Sequence, residues 1–285
     1  TLRKQLLAND QSGEPGDNVP GADDVALTDV GFARRDVTQW LPDLWLQLLY
    51  KKFRFEAEVA AVIGSVESTS VTANNNGDFV AGETSERKLR QYGFALELEQ
   101  KLVEDKLRLR FKSGWASGDA DAFDPNSVGN LVPGANERQI NDDTISTFRF
   151  NPAYRFDLIL NRNILQRVQG TYYFNPSLDY DFSREANGQR IGGGINVVWT
   201  RASEFAQTPG HDNDLGLELN GSLYFQSKDG ALNDEPSRAG GFYAQLQYGI
   251  LFPLAGMGYQ AVTKNELNVD ISSAQVLRLY LGVLF

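Results

Sequence analysis

The sequence has no cysteine, and one histidine and one methionine among 285 residues. Without cysteine there is neither a disulfide framework nor a thiolate metal site. Scarcity of histidine removes most transition-metal chemistry and the commonest general base. The one histidine, His211, lies in the polar run TPGHDND and reads as an exposed turn residue. No apolar run approaches the roughly 20 residues of a spanning helix; the densest, Leu44 to Tyr50, is far shorter. Positive charge is also in deficit: 27 Lys and Arg against 37 Asp and Glu give a net charge of -10, which argues against a nucleic-acid partner. Thr1 opens a polar segment without the charged and apolar regions of an export leader, so the numbering is expected to start from a mature or trimmed form.

What is present is alternation with period two, the mark of a strand with two unlike faces. Phe53, Phe55, Ala57, Val59, Ala61 and Ile63 share one face, while Arg54, Glu56 and Glu58 share the other. Tyr92, Phe94, Leu96 and Leu98 oppose Glu97 and Glu99. Leu107, Leu109 and Phe111 oppose Arg108, Arg110 and Lys112. The same pattern returns in Leu215–Phe225, Phe242–Phe252 and Leu277–Phe285. Mean hydropathy is -0.36, as expected when apolar and polar faces alternate and the loops are polar.

Connections are read as alternately short and long. Short ones fall near Lys51–Lys52, Val103–Asp105, Asn161–Leu165 and Pro253–Leu254. Long polar ones fall at about 67–88, 116–147, 176–189, 227–239 and 262–274. The stretch at about 202–212, which contains His211, breaks the rule, because the scheme makes it a short turn. Segments near 1–8, 148–160 and 255–262 complete the pattern. The fold expected is all-β: a transmembrane antiparallel up-and-down β-barrel of about 12 strands, with 10 or 14 also compatible. The whole chain forms one domain, with a long acidic loop at about 9–38. Trp40, Tyr50, Tyr92, Trp115, Tyr172, Trp199 and Tyr248 fall near strand ends, where interfacial aromatic girdles sit.

The last segment, VLRLYLGVLF, alternates up to a terminal Phe285. It resembles the terminal strand of outer-membrane proteins, and the resemblance implies recognition by the barrel-assembly machinery. The pieces DLWLQLLYKKFRFEAEVAAVIGS, SGWASGDADAFDP and TFRFNPAYRFDLILNRNILQRVQGTYYFNPSLDYDF resemble a family of predicted outer-membrane β-barrel proteins of myxobacteria and their relatives. The resemblance spans roughly residues 40 to 200 and the C-terminal strand. It implies a porin-like or exporter-like barrel of uncharacterised role in the outer membrane of a Gram-negative cell. A looser likeness to alginate-export barrels rests on the ASGDAD stretch.

Candidate functional residues lie on the polar faces. Arg54, Glu56, Glu58, Glu97, Glu99, Arg108, Arg110, Lys112, Arg149, Arg155, Asp157 and Glu218 are expected to line a lumen, with cross-strand pairing such as Glu97 or Glu99 with Arg108 or Arg110. Asp119, Asp121, Asp124 and Asn126, like Asp212, Asn213 and Asp214, carry oxygen donors but match no EF-hand loop. Gly192, Gly193 and Gly194 precede no helix, so they read as relief of crowding or allowance for barrel curvature rather than a nucleotide loop. The functional expectation is a passive outer-membrane channel for small polar or charged solutes, with no cofactor, no metal and no enzymatic step. Its partners would be outer-membrane lipids and the assembly machinery. The competing expectation is a structural barrel with a plugged lumen, anchoring a larger envelope assembly and contacting other envelope proteins.

Overall fold

The structure, a computed structural model, describes residues 2–9, 32–73, 79–120, 144–186, 188–205, 208–210, 212–227, 241–258 and 271–284. The alternating segments form one sheet. Its strands are β1 (Leu2–Asn9), β2 (Phe32–Trp40), β3 (Asp43–Tyr50), β4 (Phe53–Ala73), β5 (Phe79–Leu102), β6 (Leu107–Ala116), β7 (Thr144–Ile145), β8 (Thr171–Arg184), β9 (Arg190–Ala202), β10 (Asp214–Gln226), β11 (Gly241–Pro253) and β12 (Ala274–Leu284). All neighbours pair antiparallel except the two-residue β7, which lies parallel to β5. β2 and β3 both pair with β4, at Val37–Trp40 and Asp43–Tyr50, so they are one strand interrupted at Leu41 and Pro42. Proline cannot donate to a ladder, and the break falls there. Eleven antiparallel strands therefore occupy ten positions, in the order β1, β2 with β3, β4, β5, β6, β8, β9, β10, β11, β12.

Register carries the alternation across the sheet. Leu46, Ala57, Leu96, Ser113, Phe174, Trp199, Leu217 and Phe252 form one continuous row on one face. Leu279, Leu246, Leu223, Gly193, Tyr180 and Leu107 form another. This apolar face is open: Leu277, Leu279, Leu281 and Val283 are each 64–67% exposed, and Leu44, Leu223 and Ile195 are exposed too. The opposite face carries the row Arg54, Glu99, Arg110, Ser177, Asn196, Asn220 and Gly249.

Residues 146–170 lie against that charged face and make the only buried cores among the described residues. In one, Leu158, Ile159 and Leu160 pack with Ala202, Leu215, Leu251 and Met257. In the other, Phe148, Phe150, Tyr154 and Phe156 pack around Ala116, Val168 and Tyr173. The sheet thus buries much of its charged face and leaves its greasy one uncovered, the reverse of a water-soluble protein.

Three expectations need correction. First, no strand runs over 148–160. Asn151, whose side-chain oxygen accepts the Ala153 N–H at 2.9 Å, and Pro152 turn the chain instead, and a single π-helical turn, Leu160–Ile164, follows. Second, Ala255–Met257 is a 3-10 turn rather than the start of a strand; residues 259–262 lie outside the described ones. Losing these two strands reverses the end at which every connection between them emerges. Turn 185–189 joins the end that holds 51–52 and 103–106, as does 227–240, while 203–213 moves to the end of 117–170. The odd length at 202–212 is thereby removed, although His211 itself, like Asp121, Asp124, Asn126 and Phe285, lies outside the described residues. The supposed loops at 67–88 and 176–189 are largely strand, since β4 runs to Ala73, β5 starts at Phe79 and β8 continues to Arg184.

Third, the sheet is not closed into a barrel. Among the described residues β12 pairs only with β11, and β1 only with β2. β1 flanks the β2 half of its neighbour, Leu2 lying opposite Trp40, so β3 has no partner on its outer side and all eight of its residues are exposed. The seam is bounded by β12 on one side and by β1 with β3 on the other.

The two faces give different costs at two glycines. A Cβ on Gly221, on the apolar face, meets nothing within 4 Å, whereas one on Gly249 would collide with Asn220 Oδ1 and lie 3.2 Å from Leu158. Gly249→Leu is expected to destabilise by about 1–3 kcal/mol through overpacking. Gly221→Leu should stay within about 0.5 kcal/mol. Denaturant midpoints in one detergent check the contrast.

Candidate functional site

The site is built where residues 146–170 meet the charged face. Phe148 rests on Gly93, where a Cβ would strike its ring. Its N–H donates to Ser117 O at 2.9 Å, and Phe150 N–H donates to Val168 O at 2.9 Å. Phe156 stacks on Tyr173 with ring centroids 3.8 Å apart. Gly114 leaves room for the Tyr173 ring. Asn196 Nδ2 donates to Phe156 O at 3.1 Å, and Arg278 Nη2 on β12 donates to Leu158 O at 3.1 Å. The segment is therefore tied to strands from β5 to β12.

Glu218 is the central anchor. It projects from β10 and is 0% exposed. Its carboxylate accepts N–H groups from Leu158 at 2.7 Å, Ile159 at 3.2 Å and Leu160 at 2.9 Å, and Asn220 Nδ2 donates at 2.8 Å. Leu158, Ile159 and Leu160 enter the π-helical turn, so their N–H groups have no partner behind them in the turn itself. A carboxylate there satisfies orphan donors with charge-assisted bonds. Asp157 supports the same turn from below: its Oδ2 accepts both the backbone N–H and the Nδ2 of Asn161. Burial, with Glu218 close by, pushes the Asp157 carboxyl up to about 6.

The predicted site residues separate into two groups. Arg54, Glu56, Glu58, Glu97, Glu99, Arg108, Arg110, Lys112 and Glu218 all project from strands onto the charged face. The acidic and basic columns pair, though the partners differ from those anticipated. Lys112 stands opposite Glu97 and bonds it at 2.8 Å, while Arg110 turns to Asp179 on β8. Arg108 faces Tyr224, Asp179 and Asp181. Arg54 pairs with Glu56 at 2.5 Å, and Gln47 also bonds Glu56. Glu58 is exposed.

Arg149, Arg155 and Asp157 do not come from a wall strand; they ride on the folded-in segment. Arg149 makes a bridge with Gln169, and Arg155 Nη1 donates to the carbonyls of Arg162 and Gln166 at 3.2 and 3.0 Å. Sequence reasoning missed Tyr154 and Tyr173. Tyr154 Oη donates to Glu97 at 3.0 Å and lies 2.7 Å from Tyr173 Oη. It also missed Asn196 and Arg278, whose signal was a polar side chain on an inward strand position. Gly192 and Gly194 relieve crowding, as read, by making room for Tyr224 and Asp179. Asp119 and Asp212 accept the backbone N–H groups of Ser146 and Asp214 at 2.9 and 2.8 Å.

Two regions of the charged face differ. From β6 to β12 it is filled by the segment, except for a polar cavity of about 280 Å³. Over β3 and β4 it is uncovered, and Gln47, Arg54 and Glu58 are exposed. On the apolar face, Trp115, Tyr172, Phe174 and Trp199 cluster at the end of the 117–170 connection. Trp199 stacks on Phe174 at 5.7 Å, and Arg201 lies 5.6 Å from the Trp199 ring.

No protein-family model matches the chain, and no curated protein matches it either.

Two outcomes test the anchor. Glu218→Ala strands three backbone donors beneath the segment, so a loss of about 3–5 kcal/mol is expected, with new protease cleavage within 146–170. For Asp157, the folded value of about 6 exceeds the ordinary 3.8. The folded state therefore holds its proton more tightly, and stability falls as pH rises from about 4 through 6. The wild type should be harder to unfold at pH 5 than at pH 7.5, and Asp157→Asn should flatten that difference, worth about 1–1.5 kcal/mol. Urea titrations at the two pH values measure it.

Proposed function

We propose that this chain is an outer-membrane β-barrel of ten strand positions that gives small polar or charged solutes a narrow passive route. The observation that carries the reading is the inversion of its faces. A row of side chains, apolar except for the buried Ser113, crosses eight strands and is otherwise exposed or half-exposed, while Glu97, Lys112, Arg110, Asp179 and Glu218 sit on the opposite side. In hydrocarbon the first face is at home, whereas an Arg or Lys on it would cost about 2–4 kcal/mol at the midplane.

Parity permits closure. With ten positions in strict alternation, β12 and β1 run antiparallel and are able to pair, whereas β3, which continues β2, runs parallel to β12. Leaving both edges open in lipid would strand a row of backbone groups at several kcal/mol each. The aromatic cluster at Trp115, Tyr172 and Trp199 fits an interfacial girdle, with Arg201 reaching beyond it to the headgroups. Lipids of the outer membrane and the barrel-assembly machinery, reading the C-terminal strand up to Phe285, are the partners. The family of predicted outer-membrane barrels that segments of this chain resemble is the proposed home of the protein.

The route itself runs along the uncovered strip of β3 and β4, past Arg54, Glu56 and Glu58, beside the packed segment. A structural barrel that anchors an envelope assembly is the second reading, favoured by the filling of the charged face from β6 to β12.

Planar-bilayer recording separates them. The wild type is expected to conduct in steps, and Glu58→Lys to shift its ion preference toward anions. Protein that inserts into the bilayer without conducting would leave only the structural barrel. Protein that stays soluble without detergent would remove the membrane reading itself.

A further inference from the structure

The cavity of about 280 Å³ lies between the folded-in segment and the wall of β6 and β8–β11. Its lining differs from the rest of the molecule. The chain carries a net charge of -10, yet this cavity gathers three guanidinium groups, Arg110 from the wall and Arg155 and Arg162 from the segment. Two carboxylates are present, and both are engaged. Asp179 bonds Arg110, while Asp157 is 3% exposed and turned to Asn161. Gln245 and Gln247 add amide donors. Three cations against two carboxylates leave a net positive charge, carried by planar, forked donors. Guanidinium recognises a carboxylate or a phosphate by two parallel hydrogen bonds, which no neutral solute of that size reproduces.

We propose that this cavity binds a small oxyanion, a short-chain carboxylate or inorganic phosphate. Arg162, which also bonds Tyr280, faces it from the segment and Arg110 sits on the opposite wall. The proposal rests on the barrel reading for its role, since it names the class of solute held beside the route. It does not rest on that reading for the binding itself. Arg155 has a second duty, because it ties the carbonyls of Arg162 and Gln166, so substituting it would disturb the segment. Arg162 and Ser222 are the cleaner positions: Arg162 is partly exposed, and Ser222 is a half-buried lining residue of β10.

The experiment is calorimetric titration of the detergent-solubilised full chain with succinate, with inorganic phosphate and with glycerol as the neutral control. Saturable binding of succinate or phosphate, and none of glycerol, is expected; whichever of the two binds identifies the source. Arg162→Gln should weaken it about tenfold, the worth of one charge-assisted bond. Ser222→Glu, which brings a negative charge into the cavity, should abolish it while the unfolding midpoint stays near that of the wild type. Absence of saturable binding for both anions, or equal affinity in Arg162→Gln, overturns the proposal. Because no conductance is read, a protein that binds but does not conduct refutes the route and keeps the site, and one that conducts without binding does the opposite.

Discussion

Each strand of this sheet has to satisfy two unlike surroundings at once, and every other feature follows from how it does so. A strand has only two sides, and successive residues alternate between them. One side here is mainly Leu, Phe and other apolar residues, in rows interrupted at Ser113 and Gly193. The other is Arg, Glu, Asn and Gln. A soluble protein resolves such a conflict by folding the apolar side inward. This chain instead covers the charged side with its own residues 146–170. Covering charged groups is costly unless each is paired, and the pairs Glu97–Lys112 and Arg110–Asp179 meet that demand.

The folded-in segment raises the same problem for backbone. A stretch without ladder partners cannot be buried unless its N–H and C=O groups are met. Glu218 meets three of the N–H groups, Asn196 and Arg278 meet two of the carbonyls, and Ser117 and Val168 hold its ends. Glycines at Gly93, Gly114 and Gly249 then set where it can approach, because any Cβ there would occupy its space or that of the residues beneath it. Charge pairing, capping and small residues on the wall are thus one arrangement, and the polar cavity is the part of the charged face that this arrangement leaves unfilled.

How much of this could be read beforehand depends on period. In β4, β5, β6, β10, β11 and β12 the alternation was long and uninterrupted, so both the strands and their faces were legible. The run TFRFNPAYRFDLIL alternates too, and it was misread for that reason. Its aromatic residues, Phe148, Phe150, Tyr154 and Phe156, share a parity because they pack together on the sheet, not because they lie on one strand. Asn151 and Pro152 in the middle were the contrary signal, since a central strand tolerates neither the missing donor nor the turn. The inward glycines were a further signal that something approaches closely. Glu218 was legible as an inward carboxylate, but its service to three backbone groups was not, since those donors become neighbours only after the segment folds over.

The seam shows the last consequence of parity. β12 presents an apolar face of Leu277, Leu279, Leu281 and Val283 and, among the described residues, one unpaired backbone edge. Exposed edges of that kind invite pairing with whatever strand is offered, including another copy. Two strands fewer than the sequence pattern implied still leave an even number of positions, so β1 and β12 keep opposite directions. An odd loss would have set them parallel and barred an antiparallel closure. The arrangement that removes strand 148–160 from the wall thus has to remove a second one, and the turn at Ala255–Met257, anchored where Gly256 fits against the backbone of Asp212 and Asp214, is where it does so.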